Sequence, residues 1–189
     1  TPHLISSRRE SPSSEIALLF HLLTRRDDSS SITLVRALNF KLDFSKAILK
    51  GVDGDRADLS YANLHRVDFT NALLNYVSFD HADCRHTNFE RSTLNISTFL
   101  MTDCKDASFI NAQLNSTIFK FTNCIGADFT NLLRKVRFYG VTMQNTRFSY
   151  SDFMEERITF EGINGLPGVA NCTSLEGKAV ISLIDDEKS

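Results

Sequence analysis

Residues 57–131 read without a gap as fifteen groups of five: ADLSY ANLHR VDFTN ALLNY VSFDH ADCRH TNFER STLNI STFLM TDCKD ASFIN AQLNS TIFKF TNCIG ADFTN. The first position of every quintet is Ala, Val, Ser or Thr, and the third is Leu, Phe or Cys. The pattern extends upstream to Leu42 and, after the loss of one residue near 132–135, resumes from Val136 to Glu155. One small and one large inward position therefore recur every five residues.

A period of five is neither the 3.6 of a helix nor the 2 of a flat strand. Positions one and three can point to one side of a short extended segment, and a chain that keeps that side inward must turn a corner every five residues. Four corners close a square coil, so residues twenty apart should stack in columns, with successive coils paired in parallel about 4.8 Å apart. The third positions do fall into four such columns: Phe69, Phe89, Phe109 and Phe129; Phe79, Phe99 and Phe119; Leu74, Leu94 and Leu114; and Cys84, Cys104 and Cys124.

The quintets at 57–61 and 127–131 resemble those of the pentapeptide-repeat family, whose pattern is a small residue, Asp or Asn, Leu or Phe, and a polar residue. The resemblance covers residues 42–155, about 60% of the chain. It implies an all-β solenoid, a right-handed four-sided parallel β-helix with about 5 to 6 coils of 20 residues. Members of the family include DNA-mimicking gyrase inhibitors, secreted bacterial effectors and recognition domains of larger proteins, so the resemblance is specific for fold and not for function.

The segments outside the repeats are expected to cap the solenoid, because a stacked coil exposes its apolar core at both ends. In the N-terminal extension, residues 1–41, an α-helical cap is predicted over about 14–26, where apolar residues fall on one face and two arginines lie in the last turn. A membrane-surface or partner-binding helix is the alternative interpretation. Residues 156–189 are predicted to form a C-terminal cap or tail, with a loop at 162–168 and a strand or second cap at 178–184.

Composition limits the class of protein further. The 189 residues contain 21 Lys and Arg against 23 Asp and Glu, so direct binding of nucleic acid is not expected. No apolar run approaches the roughly 18 to 20 residues that span a bilayer, and no signal peptide begins the sequence. Four cysteines are too few for a disulfide scaffold, which indicates a reducing compartment.

The chemistry-bearing residues form no catalytic constellation, so we expect neither an enzyme nor a cofactor or metal. The column of Cys84, Cys104 and Cys124 is straight and cannot supply tetrahedral zinc coordination, whereas buried Cys packs as a small hydrophobe. Carboxylates at position two, such as Asp58, stand next to a corner, where they can accept backbone N–H bonds. No phosphate-binding loop, nucleophile elbow or zinc-binding helix motif occurs.

Two groups of outward residues remain as candidates for function. On the face of the Cys column, basic side chains would form an anion-binding strip unless the neighbouring carboxylates compensate them: His65, Arg66, Arg85, His86 and Lys105. On the Leu-column face and the adjoining Phe-column face, apolar residues take outward positions and predict a partner-binding stripe: Leu73, Tyr76, Ile96, Leu100, Met101, Ile118 and Phe121. Three occupants are compatible with this stripe: residues 156–189 packing back along the coil, a protein partner, or a second copy.

The predicted function is that of a non-enzymatic protein–protein interaction module whose partner the sequence does not identify. The resemblance implies a secreted bacterial effector or the recognition domain of a larger effector, located in the bacterial cytoplasm or inside a host cell. The alternative is a DNA-mimicking inhibitor or protector of DNA gyrase, which requires a dense acidic surface along the rod. Between residues 42 and 155, 13 Asp and Glu stand against 12 Lys and Arg, and this balance favours the interaction module.

Overall fold

The computed structural model describes residues 42–130, 135–149 and 159–164. Within these ranges, extended positions pair in parallel with positions twenty residues later, from Asp43 with Asn63 to Ser108 with Asp128. Four successive extended positions, at 43, 48, 53 and 58, pair in this way before the chain returns to the first ladder at 63, so each coil has four sides. The predicted all-β parallel solenoid is confirmed.

Most sides contribute one bridging residue. The longer strands in the described ranges are β1 (Thr98–Leu100), β2 (Ile118–Lys120), β3 (Asp128–Thr130), β4 (Arg137–Tyr139), β5 (Arg147–Ser149) and β6 (Thr159–Glu161). They form two parallel sheets, in the orders β1-β2-β4-β6 and β3-β5. We name the four sides, in the order in which the chain visits them, the β3 face, the Leu face, the β1 face and the Cys face; the Leu and Cys faces take their names from their inward columns.

The pairing register agrees with the one-residue loss near 132–135. Phe119 pairs with Phe138, and Phe129 with Phe148, at an offset of 19 residues. The ladder also continues past residue 155, where the quintet pattern ends, because Phe138 pairs with Phe160 at an offset of 22. That longer offset breaks the five-residue frame, which is why the last described side carries no repeat signal.

Each corner places its fifth-position residue in the left-handed region. Seventeen non-glycine residues in the described ranges have φ between 52° and 64°; together with Gly51, Gly126 and Gly140 they recur at intervals of five, except across the break near 132–135. At a typical corner the backbone N–H of Ala62 donates to the carbonyl of Leu59 at 3.1 Å. The four residues 59–62 thus form a turn closed by this hydrogen bond, with a positive φ at the third residue, Tyr61. These two features are the signature of a type II turn. The fifth side chain therefore stands at an outer edge of the solenoid.

Two stacks of phenylalanine rings fill the centre of the coil. Rings within a stack are nearly parallel, with centroids 4.6 Å apart for Phe79 and Phe99, whereas rings of the two stacks meet edge to face, at 5.5 Å for Phe79 and Phe89. The β1 and β3 faces therefore lie opposite each other. The predicted inward residues are all at most 1% exposed: Phe69, Leu74, Phe79, Cys84, Phe89, Leu94, Phe99, Cys104, Phe109, Leu114, Phe119, Cys124 and Phe129.

Buried hydroxyl groups at the first position link each coil to the preceding one. Thr87 Oγ1 donates to the carbonyl of Leu64 at 2.7 Å, and Ser97 Oγ donates to that of Leu74 at 2.8 Å. Because an unpaired buried hydroxyl would be costly, these bonds explain how Ser and Thr share this position with Ala and Val.

Of the predicted C-terminal cap, 156–189, the described residues 159–164 continue the ladders, so the predicted loop at 162–168 is wrong at Asn164, which pairs with Thr142. The rest of the predicted end caps lies outside the described residues. This applies to the whole extension 1–41, with its helix at about 14–26, and to the predicted strand or second cap at 178–184. Within the part of the chain that the structure describes, no helix has the length and apolar character needed to cross a membrane.

Candidate interaction surface

Exposed apolar side chains concentrate at the two corners that border the β1 face. Seven large hydrophobic residues of the described ranges are exposed, and five of them, each between 50% and 61% exposed, occupy left-handed corner positions: Tyr61, Tyr76, Ile96, Met101 and Phe121. The other two are Ile48 and Leu73. Between the two corners, Leu100 of β1 and Ile118 of β2 are half-buried. We name the five corner residues together with Leu100 and Ile118 the apolar patch.

One row of the patch follows the corner between the β1 and Cys faces. In this row Tyr61, Met101 and Phe121 of the patch, together with the neighbouring His81, succeed one another at intervals of twenty. The rings of Tyr61 and His81 stack in parallel with centroids 4.7 Å apart. Phe121 lies over Gly140 of the next coil, where a Cβ atom would come within 2.5 Å of the ring. The glycine thus makes room for the Phe121 ring, which is still 54% exposed.

The second row follows the corner between the Leu and β1 faces. The Arg56 guanidinium lies 5.8 Å from the centroid of the Tyr76 ring, which is within cation–π range. Ile96, one coil later, has φ of 61°. A β-branched residue in the left-handed region is a genuine backbone outlier, and such conformations cost on the order of 1–3 kcal/mol. Folding alone therefore does not account for an exposed isoleucine at this corner.

The structure brings together most of the predicted stripe and adds to it. Tyr76, Ile96, Leu100, Met101, Ile118 and Phe121 share one surface. Leu73 lies on the Leu face, where its ladder neighbours are Asp53 and Thr93, and it is 44% exposed. Sequence reasoning missed Tyr61 and His81. The twenty-residue spacing, applied to the fifth position as it was to the third, would have found both.

The predicted anion-binding strip lies on the Cys face, where Asp83 compensates its central cation. Arg85 Nε and Nη2 donate to the Asp83 carboxylate at 2.8 and 2.7 Å, and Asp103 Oδ2 is 3.8 Å from Nε. The hydrogen bond from Arg85 holds the pKa of Asp83 below its ordinary value. His86 Nδ1 lies 3.9 Å from Asp106 Oδ2. The charge of Arg85 is therefore neutralised by carboxylates of the protein itself.

The remaining members of the strip are brought together without forming a basic cluster. The rings of His65 and His86 meet edge to face with centroids 5.4 Å apart, and the buried Nδ1 of His65 has no hydrogen-bond partner. Arg66 and Lys105 form no ion pair with any described residue. Because Asp83, Asp103 and Asp106 interleave with these cations, the anion-binding strip stays a prediction.

The Leu face is occupied by a ladder of amide side chains. Asn75 Nδ2 donates to Asp55 Oδ1 at 3.0 Å, Asn95 Nδ2 to Asn75 Oδ1 at 2.9 Å, and Asn115 Nδ2 to Asn95 Oδ1 at 2.9 Å. Each of these amide nitrogens bonds to the residue one coil below. These side chains occupy the fourth position of their quintets, and their hydrogen bonds link successive coils. The side chains of the apolar patch have no such structural role.

The position-two carboxylates are spread along the corners. Asp43 accepts the N–H of Ser45 at 2.9 Å, and Asp68 accepts that of Thr70 at 3.0 Å. Lys50 Nζ also lies 3.3 Å from Asp68 Oδ2. The carboxylates of these corners interleave with cations, whereas mimicry of DNA requires a dense acidic surface. Within the described ranges, no three His, Cys, Asp or Glu residues are grouped so that they could hold a metal ion.

The Cys column is a buried row of free thiols. Cys84, Cys104 and Cys124 form no disulfide and are fully buried. Burial raises the pKa of the Cys104 and Cys124 thiols, so both stay protonated at neutral pH. Because the thiolate is the reactive form of cysteine, this column is part of the core and not a reactive site.

Comparisons with known proteins identify the family. A family model described as "Pentapeptide repeat region" matches residues 34–99, and a second, "Pentapeptide repeats (8 copies)", matches residues 102–131. No curated protein matches. The chain is similar to HetL, a pentapeptide repeat protein involved in heterocyst differentiation regulation from the cyanobacterium Nostoc, with 16% identity, coverage of 65% of this chain and 70% of that one, and a TM-score of 0.32.

Two further solved structures are similar at the same level. The first is a pentapeptide repeat protein from the Arabidopsis thaliana thylakoid lumen, with 18% identity, coverage of 64% of this chain and 74% of that one, and a TM-score of 0.24. The second is QnrB1, a plasmid-mediated fluoroquinolone resistance protein, with 16% identity, coverage of 70% and 79%, and a TM-score of 0.28. None of these similarities carries an argument about function. With its quintets, its parallel ladders and both family matches, the chain belongs to the pentapeptide-repeat family.

Proposed function

We propose that this chain is a non-enzymatic protein-binding module whose binding surface is the apolar patch. The observation that carries the proposal is the placement of five large apolar side chains at exposed left-handed corners around one face. Ile96 is the strongest single example, because a β-branched residue is disfavoured at positive φ and an apolar side chain is disfavoured in contact with solvent.

None of the sixteen other described left-handed corners carries a large apolar residue. Eight of them carry Gly, Asn or Asp, the residue types that tolerate this region best, and the other eight carry Lys, Arg, His or Ser. The corners of the apolar patch depart from this choice in adjacent coils. Contiguous apolar surface on a soluble protein marks an interaction site, and aromatic residues and Met are enriched in interface cores.

The backbone of the β1 face leaves no strand edge within the patch for a partner. β2 pairs with β1 on one side and β4 on the other. A partner therefore cannot bind the middle of this face by adding a strand, and recognition must use side chains. The rows of Ile96 and Met101 flank the half-buried Leu100, so the patch presents two apolar ridges to a partner's side chains.

The test replaces two corner residues with a residue that the corner prefers. The double variant Ile96→Asn/Met101→Asn should fold at least as stably as the wild type and fail to capture the partner after affinity purification with chemical crosslinking. The matched control is Ile48→Asn, because Ile48 is 40% exposed on the opposite β3 face. The assignment would be refuted if the patch variant still captured the partner and the Ile48 variant did not.

The wider role that we propose is that of a bacterial effector, or of the recognition domain of a larger effector, as the family resemblance implies. The DNA-mimicking gyrase inhibitor is the alternative. The 13 carboxylates and 12 cations between residues 42 and 155 do not favour it. It predicts stoichiometric inhibition of gyrase supercoiling by the purified protein, and no effect at large excess would dismiss it.

A further inference from the structure

At one end of the apolar patch two cations outnumber the one described carboxylate at that end of the β1 face, Glu161, which lies two coils beyond Lys120 in the same ladder row. Lys120, the last residue of β2, and Arg137, the first of β4, are both exposed, and Arg137 is the ladder partner of Ile118. Neither cation forms an ion pair with a described carboxylate. Lys120 Nζ instead lies 5.5 Å from the centroid of the Phe121 ring. An occupant that suits this surface is therefore apolar in its middle and acidic at one end.

The chain itself contains a stretch with this chemistry. Residues 179–184 read AVISLI, and residues 185–187 read DDE. This stretch lies outside the described residues. Six residues in extended conformation span about 20 Å. Three coil spacings, the extent of the row from Tyr61 to Phe121, amount to about 14 Å, so the apolar residues are long enough to cover the patch.

The tether allows this contact. Asn164 pairs with Thr142 on the Cys face, just past Gly162 in the corner row that contains Phe121. The fourteen residues 165–178 can extend about 46 Å. The distance to be covered, from the coil of Gly162 to the coil of Tyr61 at the far end of the patch, is five coil spacings, or about 24 Å. A tether of this length gives the segment an effective concentration on the order of 1 mM at the patch, so even a weak contact is populated.

We propose that residues 179–184 occupy the apolar patch in the same molecule, with the acidic residues 185–187 beside Lys120 and Arg137. A protein partner then binds by displacing this segment. The inference goes beyond the proposed function, and its test uses the full chain without a partner, so failure of this test leaves the proposed function untouched.

The test uses a tryptophan reporter, because the chain has no Trp of its own. In the full chain carrying Ile181→Trp, we expect blue-shifted emission and protection from acrylamide. A contact with a Kd of about 0.3 mM would be about three-quarters occupied at about 1 mM effective concentration and would lower the quenching constant about fourfold. Adding Met101→Ser and Phe121→Ser should abolish both effects, whereas adding Ile48→Ser should leave them.

Charge reversal tests the proposed orientation. Lys120→Glu/Arg137→Glu should weaken the protection, and Asp185→Lys/Asp186→Lys in the same chain should restore it. Emission and quenching equal to those of free tryptophan would overturn the proposal. Protection that the patch variants do not change would place the segment elsewhere and overturn it as well. Protection that rises with protein concentration would assign the patch to a second copy instead.

Discussion

Replacing Phe99 with alanine should destabilise the solenoid more than any surface substitution. Phe99 is fully buried in β1 and stacks on Phe79 and Phe119, each with centroids 4.6 Å away. It also meets Phe89 and Phe109 edge to face at 6.1 and 5.8 Å. Truncation of a core Phe to Ala costs about 3–5 kcal/mol, and each lost aromatic pair is worth about 0.5–1.5 kcal/mol beyond area burial. Because Phe99 lies between two stacked rings, we expect a value near the top of that range.

The assay is guanidinium unfolding followed by far-UV circular dichroism, with the midpoint and slope analysed together because repeat arrays can lose cooperativity. The matched control is Phe121→Ala, which removes the same atoms from a ring that is 54% exposed and should cost about 1 kcal/mol or less. A loss below about 1 kcal/mol for Phe99→Ala, or equal losses for the two variants, would refute the inward stacks.

Three further predictions concern the corners, the thiols and the charged pair. Ile96→Asn should raise the free energy of unfolding by roughly 1 kcal/mol in the same assay, because it relieves a β-branched residue at positive φ; a decrease would contradict the strain. Peptide mapping after alkylation at pH 7 should find Cys84, Cys104 and Cys124 unmodified until the protein is unfolded, and labelling of the native protein would contradict their burial. Arg85 lowers the pKa of Asp83, so the pair stabilises the fold above pH about 4 and loses this contribution as the pH falls through the lowered pKa. Asp83→Asn should therefore be slightly less stable than the wild type at pH 7 and equal to it in strong acid, and a deficit that persists in acid would point to another cause.

The inward residues could be predicted from the sequence because the coil leaves them little choice. A third-position side chain must fill one of four columns, so Phe, Leu and Cys recur at exact multiples of the coil length until one residue is lost near 132–135. The side that contains β6 was not predicted, because Phe160 pairs with Phe138 at an offset of 22 residues and so does not fall on the five-residue pattern. Periodicity detects a fold only while the register stays constant.

The outer surface was only partly predictable. Leu100, Met101 and Ile118 break an expected polar pattern and are visible in the sequence as apolar residues. Tyr61 and His81 do not stand out, because Tyr and His are ordinary at a surface, and only the twenty-residue stacking unites them with Met101. The strain at Ile96 and the amide ladder of the Leu face depend on backbone geometry and hydrogen bonds between coils, which composition does not reveal.

Scalar couplings across backbone hydrogen bonds, measured by NMR, test the stacked coil most directly. The structure has the N–H of Asp103 donating to the carbonyl of Ala82 at 3.1 Å, and the N–H of Ile118 to that of Ser97 at 3.1 Å. The account predicts couplings between these pairs, each 21 residues apart, on different sides of the coil. Couplings of the same amides to carbonyls three or four residues away, or to partners whose separation changes steadily along the chain, would contradict it.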